Sequence, residues 1–379
     1  MKRFLVKCLS LALACVLGAT MLIGCKDDGP RMVFVGNPSA TRFTKGEIAR
    51  CVWDMRVYGG KLYLGGGDYT ANTGPTDIWA YDLKAKEWEK SGSVQEEAIA
   101  RFVEIDGELI TTGIDPEEDW VFGNYYTLKN GVWEKTRNLP NAVHNYDMIE
   151  YDGKLFAGVG VDHGYYPFVY SVDGGKSFEM LKAYKDGVLV DLEQYEYSRA
   201  YELFEFKSKL YAIVVNTLKI TDTEQSPSHE LQVYEYQDGA MNFCADISDT
   251  VKLVSIGYKL FGGKAEYNGK MFVSTDYLYV SENISTFTKI KLPQNERVGS
   301  FLVDDGKMYV CAFKYHDQTF TITLYESFTG TSDFKKVYSF DYNVPAISFV
   351  KYGNDFYLGM GNRIENNDSN GNVLLITRE

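Results

Sequence analysis

The feature that most constrains the fold of this chain is a short phrase that recurs seven times along its 379 residues. In each copy an apolar stretch meets a tight polar turn, usually followed by lysine and a second apolar stretch. The turns are Gly59-Gly60, Asp106-Gly107, Asp152-Gly153, Lys207-Ser208, Asn268-Gly269, Asp305-Gly306 and Gly353-Asn354. Asp-Gly, Asn-Gly and Gly-Gly accept the positive φ angles of a two-residue hairpin, so the phrase predicts seven β-hairpins.

The spacing of these turns predicts the architecture. Successive turns are 47, 46, 55, 61, 37 and 48 residues apart, which is the period of a four-stranded propeller blade. A lone aromatic follows six of the seven turns and would mark the outermost strand of its blade: Trp88, Trp133, Phe178, Phe243, Phe287 and Phe334. The expected fold is therefore all-β, a seven-bladed β-propeller of four-stranded blades.

The last blade lacks an outermost strand in this scheme, because the chain ends soon after the strand-like segment from Asn372 to Thr377. The segment from Met32 to Gly36 is rich in β-branched and aromatic residues and has the length of the missing strand. It is predicted to close the ring, which would remove two free sheet edges. The alternative is a disordered tether.

The N-terminus has the layout of a secretory signal. Lys2, Arg3 and Lys7 precede an apolar run and small residues. The run is too short to span a membrane comfortably. Removing this segment takes away three basic residues, which leaves 36 Lys and Arg against 52 Asp and Glu and a net charge of −16. No Lys/Arg-rich stretch follows residue 24, so nucleic acid is not an expected partner.

The end of that segment, Leu22-Ile23-Gly24-Cys25, resembles a bacterial lipobox, in which the cysteine receives the acyl chains. An ordinary signal peptide with a chance cysteine is the alternative. Lys26-Asp27-Asp28 resembles the export tag of surface lipoproteins in Bacteroidetes. The expected organisation is a signal peptide over 1–24, a lipid-anchored tether over 25–31 and a propeller over 32–379. The resemblance implies that Cys25 anchors the protein to a bacterial outer membrane or cell surface.

Three cysteines remain in the folded part, Cys51, Cys244 and Cys311. An odd number without close spacing argues against a disulfide framework and against a Cys-x-x-Cys metal site. Each is expected to lie buried in a strand as a small apolar residue. A single bridge between two of them is the alternative.

Two local patterns resemble known propeller families. Ser171-Val172-Asp173-Gly174-Gly175-Lys176-Ser177-Phe178 resembles the Asp-box of sialidase-like propellers, and the other blades have no good copy. The Trp-Glu-Lys segments at Trp88 and Trp133 resemble kelch-type blades. The resemblance covers the architecture of nearly the whole chain and implies no activity. In those families the Asp-box faces away from the active site, which implies that Asp173 is not catalytic. The Arg-Ile-Pro and arginine triad of sialidases are absent.

In such a propeller, the innermost strands start at one face, and the loops after the second strands return to it. Aligning the blades on their hairpins places these residues at the start of the innermost strands: Cys51, Ala98, His144, Arg199, Leu260, Arg297 and Pro345. His144, Arg199 and Arg297 predict a cationic site for a carboxylate or an acidic sugar. The alternative is that each pairs with a neighbouring carboxylate.

Polar residues follow the second strands: Asp68, Asp115, Asp162, Asn216, Asp276 and Asn362. They would either hold sugar hydroxyls or a calcium ion, or form Asx turns with their own backbone. Trp120, Tyr165, Tyr166 and Tyr315 are predicted to lie in polar loops of the same face. Flat rings there suit stacking on sugars or anchoring a protein partner.

These features favour a binding propeller over an enzyme: a monomeric envelope lipoprotein that recognises glycans or a surface partner protein. A glycan-cleaving propeller, either a glycoside hydrolase or sialidase-like, is the first alternative, and a scaffold that binds only protein is the second. Hydrolysis needs two carboxylates across a cleft, and 52 acidic residues leave that pair undetermined. The four histidines lack the spacing of a copper site. No cofactor is expected, and calcium alone is left open.

Overall fold

The computed structural model describes residues 29–43, 47–161, 164–219, 228–252 and 260–378. Cys25 and the predicted signal peptide therefore lie outside the described residues, as does Asp162. Within them the regular structure is β-strand apart from three short 3-10 helices, Pro38–Thr41, Ile48–Arg50 and Tyr69–Ala71. A search of the described residues finds no helix with the length and apolar character needed to cross a membrane.

The strands alternate with short turns along the whole described chain. The first half contains β1 (Arg31–Gly36), β2 (Asp54–Tyr58), β3 (Lys61–Gly65), β4 (Thr76–Asp82), β5 (Glu87–Val94), β6 (Glu96–Ala98), β7 (Phe102–Ile105), β8 (Glu108–Thr112), β9 (Ile114–Pro116), β10 (Phe122–Lys129), β11 (Val132–Pro140), β12 (His144–Tyr151), β13 (Lys154–Val161), β14 (Phe168–Ser171), β15 (Glu179–Met180), β16 (Ala183–Lys185) and β17 (Val188–Leu189). The second half contains β18 (Tyr195–Phe206), β19 (Lys209–Leu218), β20 (His229–Gln237), β21 (Ala240–Asp246), β22 (Gly263–Tyr267), β23 (Lys270–Ser274), β24 (Leu278–Ser281), β25 (Thr288–Ile290), β26 (Arg297–Asp304), β27 (Lys307–His316), β28 (Thr319–Ser327), β29 (Lys335–Tyr342), β30 (Ala346–Tyr352), β31 (Asp355–Met360) and β32 (Val373–Thr377).

The prediction of an all-β propeller with four-stranded blades is confirmed, but the prediction of seven blades is wrong, because the structure shows five in the part of the chain it describes. Five blades are separate sheets of four strands among the described residues: β2–β5, β7-β8-β10-β11, β22–β25, β26–β29 and β30–β32 with β1. The other strands form one continuous 12-stranded sheet, which contains the antiparallel units β12–β15 and β18–β21.

Pairing at one end of the innermost strands causes this fusion. Gly160 near the end of β13 pairs with His144 of its own unit and also with Arg199 of β18. On the other side of β12, His144 pairs with Ile114 of β9, and β9 pairs with β6. The hairpin alignment could not show these pairings because they form at the end of the strands opposite to the turns.

The ring is closed by the N-terminal strand, as the sequence predicts for residues 32–36. β1 runs antiparallel to β32, from Arg31 opposite Thr377 to Gly36 opposite Val373. Trp88 of β5 donates a hydrogen bond of 3.1 Å to the carbonyl of Val35. The closing strand therefore completes the last blade and also contacts the first one.

The predicted hairpins are confirmed, and the predicted aromatics lie on the outer strands or one residue before them: Trp88, Trp133 and Phe243 lie on them, and Phe178, Phe287 and Phe334 precede them. In the β7–β8 turn, Asp106 and Gly107 adopt φ values of 52° and 74°, the left-handed conformations that the turn requires. Trp133 packs edge-to-face on Tyr63 of the preceding blade, with ring centroids 6.0 Å apart. The outer aromatics thus contribute to the apolar contacts between neighbouring blades.

The turn at Ser171 has a counterpart that the sequence pattern missed. The backbone N–H of Gly175 donates to Ser171 Oγ at 2.8 Å, and the backbone N–H of Ser177 donates to Asp173 Oδ1 at 3.0 Å. In the β24–β25 turn, Ile284 N donates to Ser281 Oγ at 2.9 Å, and Asn283 takes the place of the aspartate. Both turns lie at the hairpin end of their blades, away from the predicted site.

The cysteines correct one expectation. Cys51 and Cys311 are buried, whereas Cys244 is exposed, and all three are free thiols. Burial fails for Cys244 because it lies on β21, an outer strand of its unit with one face toward solvent.

Candidate functional site

The innermost strands surround a cavity of about 640 Å³ at the centre of the ring. Four charged side chains meet there, and we call Arg101, Asp147, Glu202 and Lys264 the channel cluster. Arg101 donates two hydrogen bonds to Glu202, at 2.7 and 2.8 Å, and its Nη1 lies 2.7 Å from Asp147 Oδ2. Lys264 contacts both carboxylates. Burial alone would raise the pKa of Glu202, but Arg101 and Lys264 lower it below its ordinary value.

The carboxylates of the channel cluster also bond the backbone of the next unit. Leu203 N donates to Asp147 Oδ2 at 2.8 Å, and Phe261 N donates to Glu202 Oε1 at 2.9 Å. Every charge in the cluster therefore has an opposite charge beside it, and both carboxylates accept further hydrogen bonds, which is the condition for a buried ionic group to be tolerated. This cluster joins the innermost strands and is structural.

A second group lies at the upper face, the end of the ring where the innermost strands begin. We call its members the upper cluster: Tyr69, Asp115, His144, Tyr146, Arg199 and Tyr201. Because His144 and Arg199 both pair with Gly160, the shared sheet places them on either side of a residue without a side chain. A Cβ at Gly160 would lie 2.7 Å from His144 Cδ2. Glycine is therefore required at this position for the two side chains to sit as they do.

Two tyrosines enter the upper cluster through β-bulges. The register of β12 shifts between Asn145 and Asp147, and that of β18 shifts between Ala200 and Glu202. Bulges re-aim side chains and are common beside functional sites. The intervening residues are Tyr146 and Tyr201, whose ring centroids lie 4.1 Å apart.

The rings of the upper cluster pack against one another beside the guanidinium, and those of His144, Tyr146 and Tyr201 are buried. His144 lies 5.2 Å from Tyr146 and 6.3 Å from Tyr69, measured between ring centroids. Arg199 Nη1 donates to the Tyr201 hydroxyl at 3.4 Å. Burial raises the pKa of Tyr146 well above its ordinary value, so this phenol stays protonated at neutral pH.

The charges of the upper cluster are not balanced as those of the channel cluster are. Arg199 forms no ion pair with any carboxylate that the structure describes. Burial raises the pKa of Asp115 to about 6, although Arg199 acts in the opposite direction. Burial and the nearby Arg199 lower the pKa of His144 well below its ordinary value, so the imidazole is neutral at pH 7.

One atom of the upper cluster lacks a hydrogen bond. His144 Nδ1 is buried and has no hydrogen-bond partner in the described part of the chain. It lies 3.4 Å from Asp115 Oδ1 without hydrogen-bond geometry. Asp115 itself has a left-handed backbone, with φ of 55°, which is uncommon outside glycine and often found at functional sites.

The three predicted cations do not form one site. His144 and Arg199 come together in the upper cluster. Arg297 instead donates to Asp276 Oδ2 at 3.1 Å and lines a separate pocket with Tyr315. Arg297 therefore pairs with a neighbouring carboxylate, as the alternative prediction states, whereas Arg199 pairs with none among the described residues.

Of the four predicted aromatics, three are exposed and one is packed in the structure. Trp120 lies in the loop before β10 and is 54% exposed, and Tyr165 is also exposed. Tyr166 packs against an apolar core and donates to the carbonyl of Val190 at 3.1 Å, so its role is structural. Tyr315 is at the end of β27 rather than in a loop, and it is 64% exposed.

Most residues at the ends of the second strands serve their own backbone or a neighbour. Asp68 accepts from Thr70 N, and Asn362 accepts from Ile364 N, both at 3.0 Å, which are Asx turns. Among the described residues no group of three or more His, Cys, Asp or Glu side chains could hold a metal ion. The calcium ion left open by the sequence stays a prediction.

Sequence reasoning missed Tyr69, Tyr146 and Tyr201. A usable signal existed for two of them: Tyr146 and Tyr201 each lie two residues after the aligned starting positions, His144 and Arg199. Tyr69 belongs to a 3-10 helix after β3, and only the folded ring brings it to His144.

Comparison with known proteins supports the fold. No family model and no curated protein matches the chain. Among solved structures the chain is similar to an ulvan lyase from a new polysaccharide lyase family, with a TM-score of 0.55, 11% identity and coverage of 92% of this chain and 96% of that one. An ulvan lyase structure bound to GlcA(1-4)Rha3S gives a TM-score of 0.53 with the same identity and coverage. A chain of the mitotic checkpoint complex gives 0.51 at 6% identity, covering 91% and 92%. At these identities the likeness shows the β-propeller fold alone.

Proposed function

We propose that this propeller binds an acidic glycan at the upper cluster, with Arg199 holding a sugar carboxylate or sulfate. The observation that carries the proposal is a partly buried guanidinium without a carboxylate partner among the described residues. The planar guanidinium matches carboxylate and sulfate with two parallel hydrogen bonds. A ligand anion would supply the partner that Arg199 lacks.

The remaining side chains suit a sugar rather than an inorganic anion. Tyr69 is half-buried beside Arg199, while Tyr146 and Tyr201 are buried and Tyr201 accepts a hydrogen bond from the guanidinium. A partly exposed aromatic ring beside a charged group is typical of a carbohydrate site. The ulvan lyase in the comparison is bound to a saccharide that contains glucuronate and a sulfated sugar. That chemistry agrees with an arginine at the centre of the site and supports the proposal.

Binding is tested by calorimetry with glucuronate-containing and neutral oligosaccharides. We expect the unmodified chain to bind the acidic ligand and Arg199→Ala to bind it about 100-fold more weakly, because the lost charged hydrogen bonds contribute about 3 kcal/mol. Arg137→Ala is the control, since Arg137 pairs with Asp119 on the surface. Equal binding by both variants, or equal affinity for the neutral glycan, would reject the proposal.

A glycan-cleaving function is the second candidate, and His144 is the observation in its favour. A neutral imidazole whose Nδ1 has no hydrogen-bond partner among the described residues, beside an arginine and a protonated tyrosine, suits β-elimination from a uronate. Arg199 would neutralise the carboxylate while His144 takes the proton from C5. The C5–H electron pair would form the C4=C5 bond, and O4 would leave with the C4–O pair and take a proton from a tyrosine.

The elimination is tested by the ultraviolet absorbance of an unsaturated uronate product. We expect the absorbance to rise with the unmodified chain and to stay flat with His144→Gln, which keeps the shape of the site and retains binding. Binding without any new absorbance in either protein would leave recognition as the function and dismiss the lyase.

We also propose that the propeller works at the outer membrane or cell surface, anchored through Cys25. The support is the lipobox-like segment ahead of the closing strand. Labelling cells with an alkyne fatty acid should mark the protein and fail for Cys25→Ser, while Cys244→Ser keeps the label. A partner protein of the envelope remains an alternative ligand, and saccharide titration separates it from the glycan.

A further inference from the structure

A second pocket, of about 510 Å³, opens on the upper face beside the blades β22–β25, β26–β29 and the closing blade. The residues that matter for its chemistry are Tyr277, Arg297, Phe313, Tyr315, Phe320 and Asn362. Tyr277 and Asn362 follow second strands, and Arg297 begins an innermost strand. The pocket therefore faces the same side of the ring as the upper cluster, but on different blades.

An extended ribbon builds the wall of this pocket. β27 has ten residues where β23 has five, so β27 and β28 project beyond the blade at the upper face. Tyr315 lies directly opposite Phe320 in the ribbon, and their ring centroids are 5.1 Å apart. Phe313 lies 6.0 Å from Phe320 and points to the same face as Tyr315, since alternate residues of a strand share a face.

Core packing does not explain the position of Tyr315. The residue is 64% exposed although Phe320 supports one side of its ring. Around it, Asn362 Nδ2 donates to Glu365 Oε1 at 3.0 Å, and Arg297 is already paired with Asp276. An exposed ring with amide and carboxylate groups beside it suits a sugar ring and its hydroxyls. The cations that line it are Arg297, which is paired with Asp276, and Lys314.

We propose that this pocket is a remote subsite for the same glycan chain that the upper cluster binds, with a pyranose ring stacked on Tyr315. The inference rests on the proposed function and specifies its ligand class. The protein binds an internal stretch of an acidic polysaccharide that crosses the upper face, rather than a single acidic sugar. Affinity therefore increases with chain length until the ligand reaches both places.

The test is a length series of ulvan oligosaccharides, from disaccharide to octasaccharide, titrated into the full-length protein. Tyr315→Ala should weaken octasaccharide binding about tenfold, equivalent to about 1.4 kcal/mol, and leave disaccharide binding unchanged. Tyr315→Phe keeps the ring and should bind like the unmodified protein. Tyr352→Ala is the matched control, because Tyr352 is 48% exposed but lies at a hairpin on the opposite face.

The outcomes separate this inference from the proposed function. Two results would overturn the remote subsite and leave the upper cluster intact, provided that disaccharide binding depends on Arg199. In the first, affinity does not increase with chain length. In the second, Tyr315→Ala does not change binding at any length. An equal loss for both lengths in Tyr315→Ala also overturns it, because the residue would then act on the upper cluster. Failure of every length to bind the unmodified protein overturns both.

Discussion

Two arginines near the axis of the ring have opposite surroundings. Arg101 lies in the channel cluster with two carboxylates within 2.7 Å of its guanidinium. Arg199 lies at the upper face among tyrosines, and no described carboxylate pairs with it. A buried charge that is fully paired holds strands together, whereas one that lacks a partner is free to bind a ligand anion. The same residue type therefore serves structure in one cluster and recognition in the other.

The two clusters also differ in how neighbouring units are joined. In the channel cluster, carboxylates of one unit accept backbone N–H groups of the next. At the upper cluster, the units are joined by backbone pairing through Gly160 and not by an ion pair between the side chains of His144 and Arg199 and the next unit. Joining by backbone frees side chains for function.

The largest effect is expected from breaking the channel cluster. Arg101→Ala leaves Asp147 and Glu202 with only Lys264 between them. We expect the free energy of unfolding to fall by about 3–5 kcal/mol, as is typical when one partner of a buried ion pair is removed. Chemical denaturation measures this. Arg56→Ala is the control, because its exposed pair with Glu104 at 3.7 Å should contribute less than about 1 kcal/mol. Similar losses in both variants would refute a structural role for the channel cluster.

A smaller effect on stability, together with a specific effect on binding, is expected from a substitution at Gly160, where β13 pairs with both β12 and β18. In Gly160→Ala the new Cβ would meet His144 Cδ2 at 2.7 Å and Tyr146 Cε2 at 3.0 Å. Overpacking of this kind costs about 1–3 kcal/mol of stability. Displacement of His144 should lower glycan affinity about tenfold, equivalent to about 1.4 kcal/mol.

The control for that substitution is Gly66→Ala. A Cβ at Gly66 would meet nothing closer than 3.4 Å, so stability and affinity should change little. Unchanged glycan affinity in Gly160→Ala, despite lower stability, would show that the upper cluster is not held by the shared sheet.

The propeller and its closure could be predicted from the sequence because both rest on local signals. Two-residue turns such as Asp152-Gly153 have a strong conformational preference, and residues 32–36 carry strand propensity where one strand is missing. The fusion of two units could not be predicted, because Gly160 pairs with Arg199 through tertiary contact. The pairing state of Arg199 and Arg297 depends on the same long-range packing, so identical positions in the repeat gave different surroundings.

The smallest effect concerns pH. The pKa of Asp115 is raised to about 6, above the ordinary value of about 3.9, so the carboxyl is largely neutral at pH 5 and ionised at pH 7. An ionised Asp115 repels a ligand anion and competes for Arg199. Glycan affinity should therefore fall as pH rises through 6, by about fivefold for one partly screened charge.

Asp115→Asn should remove this pH dependence, which calorimetry at pH 5 and pH 7 would show. A fall in affinity that persists in the asparagine variant would assign the titration to another group, since Glu97 also acts on Asp115.

The central claim is that Arg199 binds the ligand anion and Arg101 does not. Side-chain nitrogen NMR of the guanidinium groups, recorded while a glucuronate-containing disaccharide is titrated, observes both residues in one sample. We expect the Arg199 resonance, assigned with Arg199→Lys, to move with the same midpoint as binding, while that of Arg101 stays in place. Saturable binding with a stationary Arg199 resonance would show that another group binds the anion.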